Sequence, residues 1–185
     1  MSSPARWTVL RPVAQFALAG TAAVLIVGVV TAVASRRVGE REAIVDARTR
    51  TLVLAQNLVE PVVTDGLATG APEAVAAVDA AVKHGVLDAD TVRVKIWTRG
   101  GTIVYSDEAR LEGSTYDLGA DERAAIDAGV IEAEVSNLAK PENRFEKPFG
   151  KLLEVYLPIR TPGGDRLLFE AYYRYDTVAS SGSRI

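Results

Sequence analysis

The sequence predicts an α+β fold, in which helices come first along the chain and an antiparallel sheet follows. A long apolar segment near the amino terminus continues into residues 35–60, where no proline interrupts a helical pattern. Three later segments, residues 92–98, 152–159 and 166–175, alternate apolar and polar side chains with the period of two that is typical of half-buried strands. Helices grouped before strands favour an α+β domain over an alternating α/β one.

The apolar segment runs from Val13 to Ala34 and contains no charged residue. At about 1.5 Å per residue, a helix of this length is about 33 Å long, which is enough to cross a hydrocarbon core about 30 Å thick. A backbone inside lipid must satisfy its own hydrogen bonds, so the segment must be helical if it spans. We therefore predict a short leader over residues 1–12, a transmembrane helix over residues 13–34 and one further domain over residues 35–185.

A cleaved signal peptide is the alternative interpretation of this segment, because Ala32-Val33-Ala34 resembles a signal-peptidase site. The apolar region of a signal peptide usually has only about 7–15 residues, which favours the uncleaved anchor. Arginines flank the segment in similar numbers on both sides, so the positive-inside rule does not decide its orientation.

Residues 35–60 predict a helix that continues from the apolar segment and is amphipathic. We expect this helix to lie against the domain, with its first turns pairing in a dimer. A second helix is predicted to start at Pro72 and to stop at Gly85. The apolar stripe of the first helix consists of Val38, Val45, Leu52 and Val59, widened by Ile44, Ala55, Leu58 and Val62, and that of the second consists of Val75, Val78 and Val82.

The remaining chain predicts a sheet with two hairpins. Residues 92–98 and 102–106 are joined by Arg99-Gly100-Gly101, which is typical of a hairpin turn, and residues 152–159 and 166–175 are joined by a turn at residues 161–165. A short helix over residues 120–128 and a strand over residues 130–138 lie between the hairpins. The predicted buried face of the last two strands consists of Leu153, Val155, Leu157, Ile159, Leu167, Phe169, Ala171 and Tyr173.

Composition excludes several kinds of chemistry. The chain has no cysteine and one histidine, His84, so disulfides, thiolate metal sites and histidine-rich metal sites are excluded. The net charge is −3 and the only charges before Ser35 are two arginines, so the rest of the chain is more acidic still, which argues against nucleic acid. No glycine-rich loop carries the Lys-Ser/Thr pair of a phosphate-binding loop. We predict no enzyme, no cofactor and no metal in this chain.

Polar side chains on the strands form one candidate site. If the strands share a sheet, their polar faces bring two cations, two carboxylates and several phenols together. The commoner arrangement is a solvated face whose cross-strand pairs contribute about 0.2–1 kcal/mol each. The alternative is the lining of a pocket in which Arg93 and Lys95 hold an anionic ligand. The predicted ligand-binding residues are Arg93, Lys95, Tyr105, Glu154, Tyr156, Glu170 and Tyr172.

Three stretches resemble a known family. VRVKIWTRGGTIVYSDEARLEG (residues 92–113), ENRFE (residues 142–146) and the segment from Gly150 to Asp176 are similar to the extracytoplasmic Cache or PAS-like sensor domains of bacterial two-component sensor histidine kinases. Within that family the similarity is to an actinobacterial-type group related to nitrate/nitrite sensors. The resemblance covers roughly residues 5–185.

The resemblance implies the topology that charge leaves open. Residues 1–12 would be cytoplasmic, residues 13–34 would cross the cell membrane and residues 35–185 would form an extracytoplasmic PAS/Cache-like sensor, with a second span and a kinase beyond Ile185. Its partners would be the membrane, a small-molecule or protein signal, a second copy of the chain and, through the kinase, a response regulator. The alternatives are a secreted or anchored binding module without a kinase, and the sensor of a chemoreceptor or cyclase.

Overall fold

The computed structural model of the protein describes residues 5–177, which form a long helix followed by a five-stranded antiparallel sheet with shorter helices. The first helix, α1, runs from Ala5 to Leu54. The chain divides after Glu40 into two compact units. The last residues of the predicted sensor domain, 178–185, and the first four of the predicted leader lie outside the described part.

The first unit consists of helix. Its apolar stretch, Gln15–Ser35, is long enough and apolar enough to cross a membrane, and its side chains are exposed to the surroundings. This stretch coincides closely with the span predicted over residues 13–34. Large apolar side chains such as Phe16 and Leu25 are among those exposed along this stretch.

The second unit begins with the last turns of α1, and here the predicted stripe is partly wrong. The buried positions follow one another at intervals of four residues: Ala43, Ala47, Thr51, Ala55 and Val59. Val45 of the predicted valine stripe is 62% exposed, and outside this unit Val38 is exposed as well. Small alanine side chains allow a helix backbone to come close to a sheet of large residues, which the branched valines would prevent.

Short helical elements complete the helical layer. After α1 the chain continues through a π-helical turn, Ala55–Val59, and 3-10 turns at Glu60–Val62 and Asp65–Thr69. Helix α2 spans Pro72–Ala81 and ends in a second π-helical turn, Val82–Val86. A Cβ atom at Gly85 would lie 2.8 Å from Leu58 Cδ1, so the glycine predicted as a stop permits close packing of the two helical segments.

The sheet consists of five strands: β1, Thr91–Thr98; β2, Ile103–Ser106; β3, Glu132–Val135; β4, Leu152–Arg160; and β5, Arg166–Arg174. They lie in the order β2-β1-β5-β4-β3, and all neighbours are antiparallel. Both predicted hairpins are present, and the strand expected over residues 130–138 is the shorter β3. At the first hairpin turn, Gly101 has φ +83°, and a Cβ atom there would lie 2.0 Å from Tyr116 O.

One face of the sheet packs against α1 and α2 and forms the larger core. All eight residues predicted for the buried face of β4 and β5 belong to this core, together with Val94 and Ile96 of β1. The register of the last two strands is therefore as predicted.

Two connections lie on the opposite face. The first, residues 107–131 between β2 and β3, contains a 3-10 turn, Ala109–Leu111, helix α3, Ala120–Arg123, and a π-helical turn, Ala124–Ala128. The second, residues 136–151 between β3 and β4, contains 3-10 turns at Pro141–Asn143 and Lys147–Phe149. We call these two segments the first connection and the second connection.

Candidate functional site

The polar face of the sheet is buried, so the expectation of a solvated face is wrong. Lys95, Glu154 and Tyr172 are 0% exposed, and Arg93, Tyr156 and Glu170 are nearly as inaccessible. The two connections cover this face and add a smaller apolar core around it. That core consists of Trp97, Ile103, Leu111, Leu118, Ala125, Ile126, Tyr156 and Leu168.

Strand register places the polar side chains in two neighbouring rows. Glu154 of β4 pairs with Tyr172 of β5, and Tyr156 pairs with Glu170. On the other side of β5, Tyr172 pairs with Arg93 of β1 and Glu170 pairs with Lys95. Each row thus holds a cation, a phenol and a carboxylate side by side. We name these six residues with Trp97, Asp107, Asn143 and Glu146 the polar cluster.

The ammonium group of Lys95 lies inside a complete set of acceptors. Its Nζ donates to Asn143 Oδ1 at 2.9 Å, to the hydroxyl oxygen of Tyr172 at 3.0 Å and to the carbonyl oxygen of Glu142 at 3.1 Å. The Glu146 carboxylate is 3.6 Å away, and the ring of Tyr172 lies 4.5 Å from the ammonium. A buried lysine stays charged only when such partners replace water, and three of them come from the second connection.

Arg93 of β1 donates hydrogen bonds to one carboxylate in each of the two connections. Its Nε donates to Glu146 Oε1 at 2.6 Å and its Nη1 to Asp107 Oδ2 at 2.7 Å. Asp107 Oδ1 also accepts from the backbone N–H of Val94 at 2.7 Å. Burial raises the pKa of Asp107, while the bonds from Val94 and the charge of Arg93 lower it. The second oxygen of Glu146 is buried and has no hydrogen-bond partner within the described residues.

The Glu154 carboxylate accepts hydrogen bonds from three parts of the chain. Its oxygens accept from Tyr156 on the same strand, from Ser136 just after β3 and, at 3.1 Å, from Asn143 Nδ2. Burial raises the pKa of Glu154, and the hydrogen bonds from Ser136 and Tyr156 oppose the shift. Tyr156 is held in its neutral form because burial and the surrounding carboxylates raise its pKa.

Glu170 is the most enclosed carboxyl group of the cluster. Trp97 Nε1 donates to its Oε2 at 2.7 Å, and the Tyr172 hydroxyl oxygen lies 2.7 Å from its Oε1. Its nearest cation, Lys95 Nζ, is 4.0 Å away. Burial raises the pKa of Glu170 to about 7, and the charge of Lys95 only partly offsets the shift.

Tyr105 does not belong with the other predicted site residues. It pairs with Ile96 and lies on the opposite face, in the core against the helices. Its hydroxyl group donates to Asp79 Oδ1 of α2 at 3.3 Å, beside a surface groove of about 600 Å³ between α2 and β2. The structure thus brings six of the seven predicted residues together and places the seventh elsewhere.

Sequence reasoning missed the partners that the connections supply. Asp107, Asn143 and Glu146 lie in segments without strand periodicity, so no face could be assigned to them. Trp97 could have been found, because it occupies the next alternate position after Arg93 and Lys95 on the same strand. ENRFE, which contains Asn143 and Glu146, was noticed only as part of the family resemblance.

The charge balance of the cluster limits what it can hold. Two cations, Arg93 and Lys95, are surrounded by the carboxyl groups of Asp107, Glu146, Glu154 and Glu170, which exceed them in number. An added anion would have to displace an internal carboxylate, whereas a proton, a cation or a neutral polar molecule would not. Within residues 5–177, no group of three or more His, Asp or Glu side chains is arranged to hold a metal ion.

Comparison with known proteins identifies the fold. No protein-family model matches the chain, and no curated protein matches it. Among solved structures, the chain is similar to the sensor domain of DcuS from Escherichia coli, with a TM-score of 0.50 and 15% sequence identity, over 78% of this chain and 96% of that one. At this identity the similarity shows the fold alone. The expected PAS/Cache-like α+β fold, in which an antiparallel sheet follows an apolar amino-terminal helix along the chain, is confirmed.

Proposed function

We propose that the chain is the membrane-anchored sensory input domain of a two-component sensor histidine kinase. In this role residues 13–34 cross the cell membrane, residues 35–185 lie outside the cytoplasm, and α1 transmits a change in the sensor domain to the membrane. A kinase encoded beyond Ile185 would pass the signal to a response regulator. The sequence resemblance suggests the kinase, and the sensor-domain fold supports the general role.

The observation that carries the proposal is the buried polar cluster on the sheet face opposite the helices. Protein interiors are usually apolar, because a buried charge costs free energy unless it is fully paired. Here nine polar or aromatic residues are buried together beside the half-buried Asp107, and several of their partners come from the two connections rather than from the sheet. A bound signal or a change in protonation there would therefore alter the contacts that fix the connections in place.

The exposed valines of α1 support the expected homodimer. Val45 and Val53 are 62% and 52% exposed, although they flank positions that are buried against the sheet. The chain has no cysteine, so Val45→Cys would introduce a single thiol. A disulfide-linked dimer formed in membranes by this variant would support pairing along α1, and a thiol that stays monomeric under oxidation would argue against it.

A chimeric receptor tests the sensory role. The whole chain would be joined to the second span and kinase of a receptor with a measurable transcriptional output. Asn143→Ala removes the side chain that bonds Lys95 and Glu154 from the second connection. If the cluster sets the signalling state, this variant shifts the basal output of the chimera.

Asn57→Ala is the matched control, because Asn57 is exposed on the helix and bonds only the carbonyl oxygen of Val53. Equal output from the wild type and both variants, at equal membrane levels, would contradict a sensory role for the cluster. Intact mass of the membrane fraction separates the uncleaved anchor from a module released after Ala34.

A further inference from the structure

Tyr172 makes more close oxygen contacts than its single hydroxyl hydrogen can serve. Its oxygen lies 2.7 Å from Asn143 Oδ1 and also 2.7 Å from Glu170 Oε1. Each of these distances is typical of an O–H···O bond and requires a hydrogen between the two oxygens. A tyrosine donates only one. With Glu170 ionised, one of the two contacts therefore has no hydrogen.

No other neighbour supplies the missing hydrogen. The three ammonium hydrogens of Lys95 are directed to the carbonyl oxygen of Glu142, to Asn143 Oδ1 and to the hydroxyl oxygen of Tyr172. Reversing the Asn143 amide would place its nitrogen, a donor, against the Lys95 ammonium, which is also a donor. It would likewise place the amide oxygen against Glu154 Oε1, so that two acceptors would face each other. The observed amide orientation is therefore required.

A proton on Glu170 satisfies every contact at once. The acid O–H then donates to Tyr172, whose oxygen accepts from Glu170 and Lys95 and whose own hydrogen goes to Asn143 Oδ1. This arrangement uses the full capacity of the tyrosine hydroxyl, one donor and two acceptor positions. Glu170 Oε2 remains the acceptor for Trp97 Nε1.

The surroundings of Glu170 favour the protonated form. Glu170 is 2% exposed, and burial disfavours its charged form, which raises its pKa to about 7. The Glu154 carboxylate opposes ionisation, while Lys95 favours it. The titratable or charged groups that face Glu170 are Lys95 of β1, Glu154 and Tyr156 of β4, Tyr172 of β5 and, across the Lys95 ammonium, Glu146 of the second connection.

We propose that Glu170 binds one proton near neutral pH and that this proton holds the second connection on the sheet through Tyr172 and Asn143. When the proton leaves, Tyr172 directs its hydrogen to the Glu170 carboxylate, and two oxygens without a hydrogen face each other between Tyr172 and Asn143. The contact then repels, and the connection loosens at residues 141–146. The proton site itself does not depend on the proposed function. Only the interpretation of its protonation as a response to external pH rests on that function.

Infrared difference spectroscopy of the full chain in detergent micelles tests the proton directly. Spectra would be recorded from about pH 5 to about pH 9, a range above the ordinary pKa values of exposed Asp and Glu. In a Glu134→Gln background, which removes the other carboxyl group whose pKa burial raises to about 7, we expect the C=O band of one protonated carboxylic acid to disappear as the pH rises through neutrality. Wild-type protein without such a band near pH 6 would overturn the proposal, whatever the variants do.

Variants assign the band and report on the connection. Glu170→Gln mimics the protonated acid, because its amide can donate to Tyr172 and accept from Trp97, and it should remove the band. It should also abolish the pH dependence of hydrogen exchange at residues 141–146, after correction for intrinsic rates. Glu73→Gln, an exposed carboxylate on α2, should change neither.

Two results would overturn the assignment to Glu170: a band that persists in Glu170→Gln, or one that is lost only in Glu154→Gln. Because the measurement does not involve signalling, its failure would leave the proposed sensory role standing. Conversely, a chimera without output would leave the proton site standing.

Discussion

The two faces of the sheet are both buried, but they are held by different forces. The face against α1 and α2 is apolar, with Val155, Leu157 and Phe169 at its centre, and it is stabilised by the removal of hydrocarbon from water. The face under the two connections carries Lys95, Glu154 and Glu170, and it is stabilised only while each polar atom keeps its partner. The first face is held by contacts that have no required direction, whereas the second depends on directed bonds to loops.

The largest expected effect comes from placing a charge on the apolar face. Val155 is fully buried, so Val155→Asp buries a carboxylate without a partner and should cost several kcal/mol. This is a large share of the 5–15 kcal/mol that stabilises a typical domain. Urea denaturation of the full chain in micelles measures the loss. Val130→Asp, at an exposed valine, is the control, and equal losses from both variants would mean that the two faces are wrongly assigned.

A comparable effect is expected from removing a charge on the polar face. Lys95→Met keeps the length of the side chain but removes the cation nearest to Glu170 and one of the two cations beside Glu146, which should cost about 3–5 kcal/mol. Lys83→Met removes an exposed partner of Asp79 and should cost less than about 1 kcal/mol. Adding Glu146→Gln to Lys95→Met should restore part of the loss. A silent Lys95→Met would mean that the polar face is open to water.

The next effect in size is the pH dependence of the free energy of unfolding, to which the polar face should contribute through Glu170. Burial raises the pKa of Glu170 from 4.5 to about 7, so the folded state keeps a proton that the unfolded chain releases. Stability is then highest below about pH 4.5, falls by about 3 kcal/mol as the pH rises to about 7, and is flat above that. The difference between wild type and Glu170→Gln isolates this contribution from other groups. A difference curve without a slope between these pH values would refute it.

The smallest effect tests how α1 is fixed to the apolar face. Thr51 Oγ1 lies 2.8 Å from the Tyr173 hydroxyl oxygen, and Thr51→Val should cost about 1 kcal/mol by removing that bond. Thr49 is the matched control, because it is exposed on the same helix and bonds only the carbonyl oxygen of Val45. Thr49→Val should leave the urea midpoint nearly unchanged. If both variants behave alike, the Thr51–Tyr173 bond adds nothing to stability.

The apolar face was predictable because alternation along a strand is a local signal. Leu153 to Ile159 and Leu167 to Tyr173 repeat every second residue, so their sequence alone assigns them to one side. The stripe on α1 was less predictable. Valines at intervals of seven are more hydrophobic than the alanines that are buried, and the preference for small residues arises from the closeness of the sheet.

The polar cluster could be predicted only in part, for a different physical reason. Register placed Arg93, Lys95, Glu154 and Glu170 on one face, but nothing local indicated that loops would cover them. Asn143 and Glu146 reach Lys95 across 48 and 51 positions of the chain, and no periodic pattern marks such contacts. Directed bonds between distant segments are a property of the folded structure, so burial of this face became evident only there.

The order of the strands has a consequence for how the domain is assembled during synthesis. The fifth strand, Arg166–Arg174, is the last of the five described strands to be synthesised, yet it lies in the middle of the sheet between β1 and β4. Before it arrives, the chain has only two separate strand pairs, β1 with β2 and β3 with β4, and an isolated pair is at best marginally stable in water. Neither core can close until then. The domain therefore folds after its translation is nearly finished, and a chain that stops short of residue 166 would keep both faces exposed to aggregation.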